Sequence, residues 1–107
     1  MSEPVLVLTT VAATADADAL ARSLVTERLA ACVNRLPSVA STYRWQGKTH
    51  EDAEVLLLIK TTRERFDTLR DRLAELHPYE IPELLAFEVA DGLPAYLEWV
   101  ARETATR

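Results

Sequence analysis

The sequence predicts an α+β fold whose elements run β-α-β-β-α-β and end in a short C-terminal helix. Three observations lead there. Two continuous apolar runs, residues 5–10 and 55–59, have the composition of buried strands. Each run is followed by apolar residues at helical spacing. The length of 107 residues is that of one domain, so residues 1–107 are read as a single unit.

Residues 5–10 make the first strand. Thr14 or Asp16 is placed to cap the helix that follows, and Asp16 and Asp18 suit its electropositive N-terminal end. Leu20, Ala21, Leu24, Val25 and Leu29 recur on one helical face, with no glycine to mark the helix end. Residues 32–40 read as the second strand, kinked or bulged at Pro37. Beyond it Ser41, Tyr43 and Trp45 alternate with Thr42 and Arg44, which puts both large aromatics on one face. Gln46-Gly47 turns the chain and residues 49–52 lead back.

Residues 55–59 make the third strand. Thr61 and Glu64 have the spacing of a capping box. Phe66, Leu69, Leu73 and Leu76 follow with charges between them, the clearest amphipathic helix in the chain, and His77-Pro78 ends it. Residues 84–89 make the fourth strand after Pro82. Asp91-Gly92 is a turn, and Pro94 opens a terminal helix carrying Tyr96, Leu97, Trp99 and Val100. This order is the split-βαβ, ferredoxin-like pattern.

A sheet with helices on one face and water on the other should alternate apolar and polar residues. These strands do not: Val5 and Val7 oppose Leu6 and Leu8, and Leu57 and Ile59 oppose Leu56 and Leu58. Both faces therefore need cover. The C-terminal helix is too short to supply all of it, and a second copy of the chain is the economical source.

Composition excludes several classes. Two glycines leave no glycine-rich loop to cradle a phosphate. A net charge of −5, with the arginines of the second helix interrupted by acids, argues against a nucleic-acid binder. No run approaches a membrane span, and no basic, apolar leader is visible. The single cysteine makes no intramolecular disulfide, which suits a cytoplasmic setting.

Five motifs carry a family likeness. They are Glu27-Arg28-Leu29-Ala30-Ala31-Cys32-Val33-Asn34, Ser41-x-Tyr43-x-Trp45-x-Gly47, Glu54 with Ile59-Lys60-Thr61, Leu76-His77-Pro78-Tyr79-Glu80-x-Pro82-Glu83, and Tyr96-Leu97-x-Trp99. In order and spacing, from about residue 5 to about residue 100, the chain resembles the CutA family of divalent-cation tolerance proteins. The resemblance implies a ferredoxin-like homotrimer, similar in architecture to the PII signalling proteins, with inter-subunit clefts. It also implies a role in the response to metal ions, with copper binding in some members and no agreed enzymatic reaction.

Where members bind copper, the resemblance implies a cysteine ending the first strand and two adjacent histidines before the Pro-Tyr. Here Thr9 and Leu76 stand at the first two positions and only His77 remains. A hydroxyl and a leucine do not replace thiolate and imidazole. From the residues themselves, His77, Glu80 and Glu83 are the candidate metal ligands. No cofactor is required, and Cu(II) is the candidate cation.

Lys60, His77, Tyr79 and Glu80 are the candidate cleft residues for a small anion or metabolite. About 20 Å of helix separates Lys60 from His77, so a joint site needs two subunits. Tyr43 and Trp45 are candidate interface residues, since aromatics are enriched at interfaces. Cys32 reads as a buried structural thiol and His50 as exposed. The expected function is a non-enzymatic trimeric binding or signalling protein. The alternative is a small-molecule enzyme using Lys60, His77 and Glu80, which are the right types for acid–base chemistry.

Overall fold

The computed structural model describes residues 3–106. Its elements are β1 (Pro4–Val11), α1 (Thr14–Thr26), β2 (Cys32–Trp45), β3 (Lys48–Thr62), α2 (Arg63–Leu76), β4 (Leu85–Glu88) and α3 (Pro94–Glu103). They form a four-stranded sheet in the order β2-β3-β1-β4, with every neighbouring pair antiparallel. The expected element order is observed. Helices α1 and α2 cover one sheet face, where Val7, Leu57 and Ile59 are fully buried with Leu24, Leu69 and Leu73. Val25, expected in this core, is exposed instead.

Two helix ends differ from the sequence reading. Neither Thr14 nor Asp16 caps α1: the N-cap is Ala13, which makes no side-chain bond. Thr61 does not cap α2 either. It is the penultimate residue of β3, and its hydroxyl donates to the Leu29 carbonyl at 2.7 Å, tying the end of β3 to the chain leaving α1. The N-cap position of α2 falls to Thr62.

The second and third strands are longer than expected, because each pair of short runs is one continuous strand. The β2–β3 hairpin turns at Gln46 and Gly47, both with positive φ, 52° and 80°. That is the geometry whose twist matches two antiparallel strands. β1 pairs with β3 only from Val55 to Thr62, so residues 48–54 pair with β2 alone and project as a two-stranded arm. The arm gives the molecule its long axis of 44 Å against 25 and 22 Å.

The register of β2 shifts between Leu36 and Val39. Three steps along β2 there match two along β3, so one extra residue is inserted at Pro37-Ser38. This bulge decides which way the aromatics point. Before it, Cys32, Asn34 and Leu36 share a face with Lys60, Leu58 and Leu56; after it, Val39, Ser41, Tyr43 and Trp45 share that same face with Glu54, Asp52, His50 and Lys48. That face is opposite α1 and α2. At its Cys32 end α3 packs on β3 and β1. Leu36 and Leu85 further along, and Phe87 on edge strand β4 in the Cys32 row, stand 38%, 51% and 48% exposed, and Leu8, Leu56 and Leu58 are half-buried.

Candidate functional site

Where the arm leaves the body of the sheet, it faces the loop between α2 and β4 across an open groove of about 870 Å³. Tyr43, Trp45, Asp52 and Glu54 come from the arm, and Tyr79, Glu80, Ile81 and Glu83 from the loop. Pro78 and Pro82 limit the loop's backbone freedom, and four side-chain bonds fix its position. The Thr10 hydroxyl donates to Glu83 Oε1 at 3.2 Å. The Tyr79 hydroxyl donates to Glu54 Oε2 at 2.6 Å. His77 makes the other two.

His77 is only 6% exposed, and both ring nitrogens are engaged. Nδ1 accepts from the Tyr79 backbone N–H at 3.2 Å, which leaves the proton on Nε2 to be donated to the Thr10 carbonyl at 2.8 Å. The ring also meets Tyr79 edge-on, with centroids 4.7 Å apart. Within the chain His77 therefore fastens the loop to the end of β1.

The groove is acidic. Its lining residues include Asp52, Glu54, Glu80 and Glu83 and no lysine or arginine. Glu54 is 8% exposed. Burial, and then the bond to the Glu54 carboxylate, hold the Tyr79 phenol well above its ordinary value of 10.0. Tyr43 is raised too, chiefly because its hydroxyl donates to the Asp52 carboxylate.

Of the four candidate cleft residues, the chain brings His77, Tyr79 and Glu80 together in this loop and leaves Lys60 elsewhere. Lys60 pairs with Leu6, whereas His77 is bonded at Thr10, four residues on and about 13 Å along β1. Lys60 Nζ donates to Asn34 Oδ1 and lies 3.8 Å from Cys32 Sγ. Cys32 is thus only half-buried, beside an ammonium, rather than enclosed as expected. His50 is half-buried as well, because its ring stacks on Tyr43 at 5.4 Å.

His77, Glu80 and Glu83 as placed do not make a metal site. The histidine nitrogens are spent on backbone groups, and among the described residues no three His, Cys, Asp or Glu side chains are positioned to hold an ion. Thr9, at the position of the implied thiolate, is buried in the core with its hydroxyl unpaired. Sequence reasoning left Thr10, Asp52 and Glu54 out of the site. The signal that could have found the two acids was their same-face spacing on β3 opposite Ser41 and Val39, which the bulge concealed.

Comparison with known proteins agrees with the motifs. A family model described as "CutA1 divalent ion tolerance protein" matches residues 5–103. The divalent-cation tolerance protein CutA of Thermus thermophilus is 48% identical over 99 residues, covering 92% of this chain and 96% of that protein. The human protein CutA is 46% identical over 85 residues, 79% of this chain, and the chain spans about half (48%) of that relative's length. Among solved structures, CutA from Xylella fastidiosa superposes with a TM-score of 0.94 at 45% identity, over 97% of this chain and 100% of that one. CutA1 from Oryza sativa gives 0.94 at 38% identity, over 98% and 96%. The chain belongs to the CutA family of divalent-cation tolerance proteins.

Proposed function

We propose that the chain is a ferredoxin-like subunit of a cytoplasmic homotrimer that works in divalent-cation tolerance by binding or signalling, without catalysing a reaction. The observation that carries the assembly is the second sheet face. Leu36, Leu85 and Phe87 are more than a third exposed on it, beside half-buried Leu8, Leu56 and Leu58, and α3 covers only one end. A contiguous apolar face of this kind marks an interaction surface. The projecting arm supports the same reading, because a two-stranded ribbon is marginal in water by itself. Tyr43 and Trp45 lie on the arm's side of that face and belong to the interface. Light scattering across a dilution series tests the proposal: a mass of three chains is expected, and a stable folded monomer would refute it.

The ligand reading changes sign. The acidic, aromatic groove attracts cations rather than the small anion expected from Lys60. For copper the donors do not fit, so Cu(II) binds weakly and without fixed stoichiometry, through groove carboxylates. Calorimetric titration of Cu(II) should give a weak isotherm that His77→Ala leaves unchanged. Tight binding of one ion per chain, abolished in that variant, would overturn this reading.

A further inference from the structure

We infer that the acidic groove of one subunit is completed by Lys60 of a neighbouring copy, an inference that rests on the trimeric assembly proposed above. The two patches are each incomplete within a chain. Asp52, Glu54 and Glu83 receive neutral hydroxyl donors, from Tyr43, Tyr79 and Thr10. Among the described residues none of the three is in an ion pair, nor is Glu80. Lys60 is the complement: half-buried, in no ion pair among the described residues, and bonded to the neutral acceptors Asn34 and Cys32.

Both patches lie on the sheet face opposite α1 and α2, because Glu54 and Lys60 are six residues apart on one regular strand. That spacing is about 20 Å, several times the reach of a lysine side chain, so they cannot meet within the chain. Between them lie Leu56 and Leu58, with Leu8 and Leu85 alongside. A neighbour that covers this apolar strip also removes water from its two charged ends. Carboxylates and an ammonium stripped of water without partners are costly, whereas pairing them across the contact offsets that cost. In the trimer proposed above this contact runs head-to-tail, each subunit giving its Lys60 to one neighbour and its acidic groove to the other.

The chain has only two lysines, Lys48 and Lys60, which makes a zero-length carbodiimide crosslink readable. The experiment assembles equal amounts of ordinary and ¹⁵N-labelled chain, treats them with the carbodiimide, and maps the linked peptides by mass spectrometry. Expected are peptides joining Lys60 to Asp52, Glu54, Glu80 or Glu83, including pairs of mixed isotope. Lys60→Arg should keep the trimer's mass and lose the crosslink, since the guanidinium keeps the charge but does not form the amide. Lys60→Gln should raise the concentration at which the assembly dissociates by tenfold or more. A trimer whose Lys60 links to other carboxylates, or to none, overturns the inference and leaves the trimer standing. A trimer without the link whose melting temperature rises with spermidine assigns the groove to a free organic cation, and likewise overturns it. A monomeric mass in light scattering overturns the assembly and this contact together.

Discussion

Tyr79 is the residue on which the groove's geometry turns, since its backbone N–H holds His77 and its hydroxyl holds buried Glu54. Its raised pKa has a consequence for stability. The folded state keeps the phenol proton to higher pH than the unfolded chain does, so above pH 10.0 unfolding releases a proton. The stability that this bond contributes is fully present below that value and is lost as pH rises toward the folded pKa. Denaturant melts between pH 9 and 11 should show an alkaline decline that Tyr79→Phe makes shallower; an identical decline in both would exclude Tyr79 as its source. The residue scale is also where the sequence was least legible. His77 was visible as a polar group beside Pro78, but nothing in the chain indicated that both its nitrogens would meet backbone at β1. Arg28 is the second case. It takes the left-handed φ of 62° that ends α1, with Leu29 N–H to the Leu24 carbonyl and Arg28 N–H to that of Val25. This is the Schellman arrangement usually marked by glycine. Its strain is offset by guanidinium bonds to the carbonyls of Arg102 and Ala105 at the end of α3, a long-range gain no local motif announces.

At the scale of elements, periodicity was informative wherever a face is buried. The apolar spacing located α2 correctly, and Leu69 and Leu73 are its buried residues. The continuous apolar runs located β1 and the body half of β3, because both faces of those strands lie against apolar neighbours. The arm was legible only in pieces, since its strands gain no core contacts and its polar residues look like loop. What joins the pieces is the bulge at Pro37-Ser38, and its role can be tested. Removing Ser38 sets Pro37 opposite Val55 and leaves Leu36 opposite Leu56 and Val39 opposite Glu54, so Tyr43 and Trp45 keep their face. The bend and extra twist of the bulge are lost, however, and the arm is re-aimed away from the groove. The expected outcome is a folded body with unchanged far-ultraviolet signal, increased solvent exposure of the Trp45 indole, and weaker association. Trp99 contributes to the same fluorescence, so the comparison is made in a Trp99→Phe background. Unchanged indole exposure and association would show that the bulge does not orient the arm.

At the scale of the whole molecule, the doubly apolar strands of the sequence led to the expectation of a partner, and in the structure part of the second sheet face stands open. α3 packs on β3 and β1 at the Cys32 end of the second face, and the open part runs along Leu58, Leu8 and Leu85, with Phe87 beside it on edge strand β4 in the row of Cys32, Lys60 and Leu6. An exposed edge strand with apolar side chains invites pairing unless something covers it. Leu85 and Phe87 separate the chain's own stability from its assembly, because each is about half exposed when the chain stands alone. Replacing both with serine costs the isolated chain about 1 kcal/mol or somewhat more for each residue, through the half already buried. In the assembly the exposed halves become buried, and complete burial of such a side chain is worth roughly 1.5–3 kcal/mol, so each substitution removes about 1 kcal/mol or somewhat more per subunit. The pair then shifts each contact's dissociation constant by roughly one to two orders of magnitude, at about 1.4 kcal/mol per tenfold. The measurement is a melting temperature followed over a wide range of protein concentration. The double variant should melt lower than the parent at every concentration, by a margin that narrows toward the dilute limit, where both are monomeric and only the cost to the single chain remains. An offset that does not change with concentration would mean that Leu85 and Phe87 stabilise only the subunit itself, and that the face it assembles through lies elsewhere.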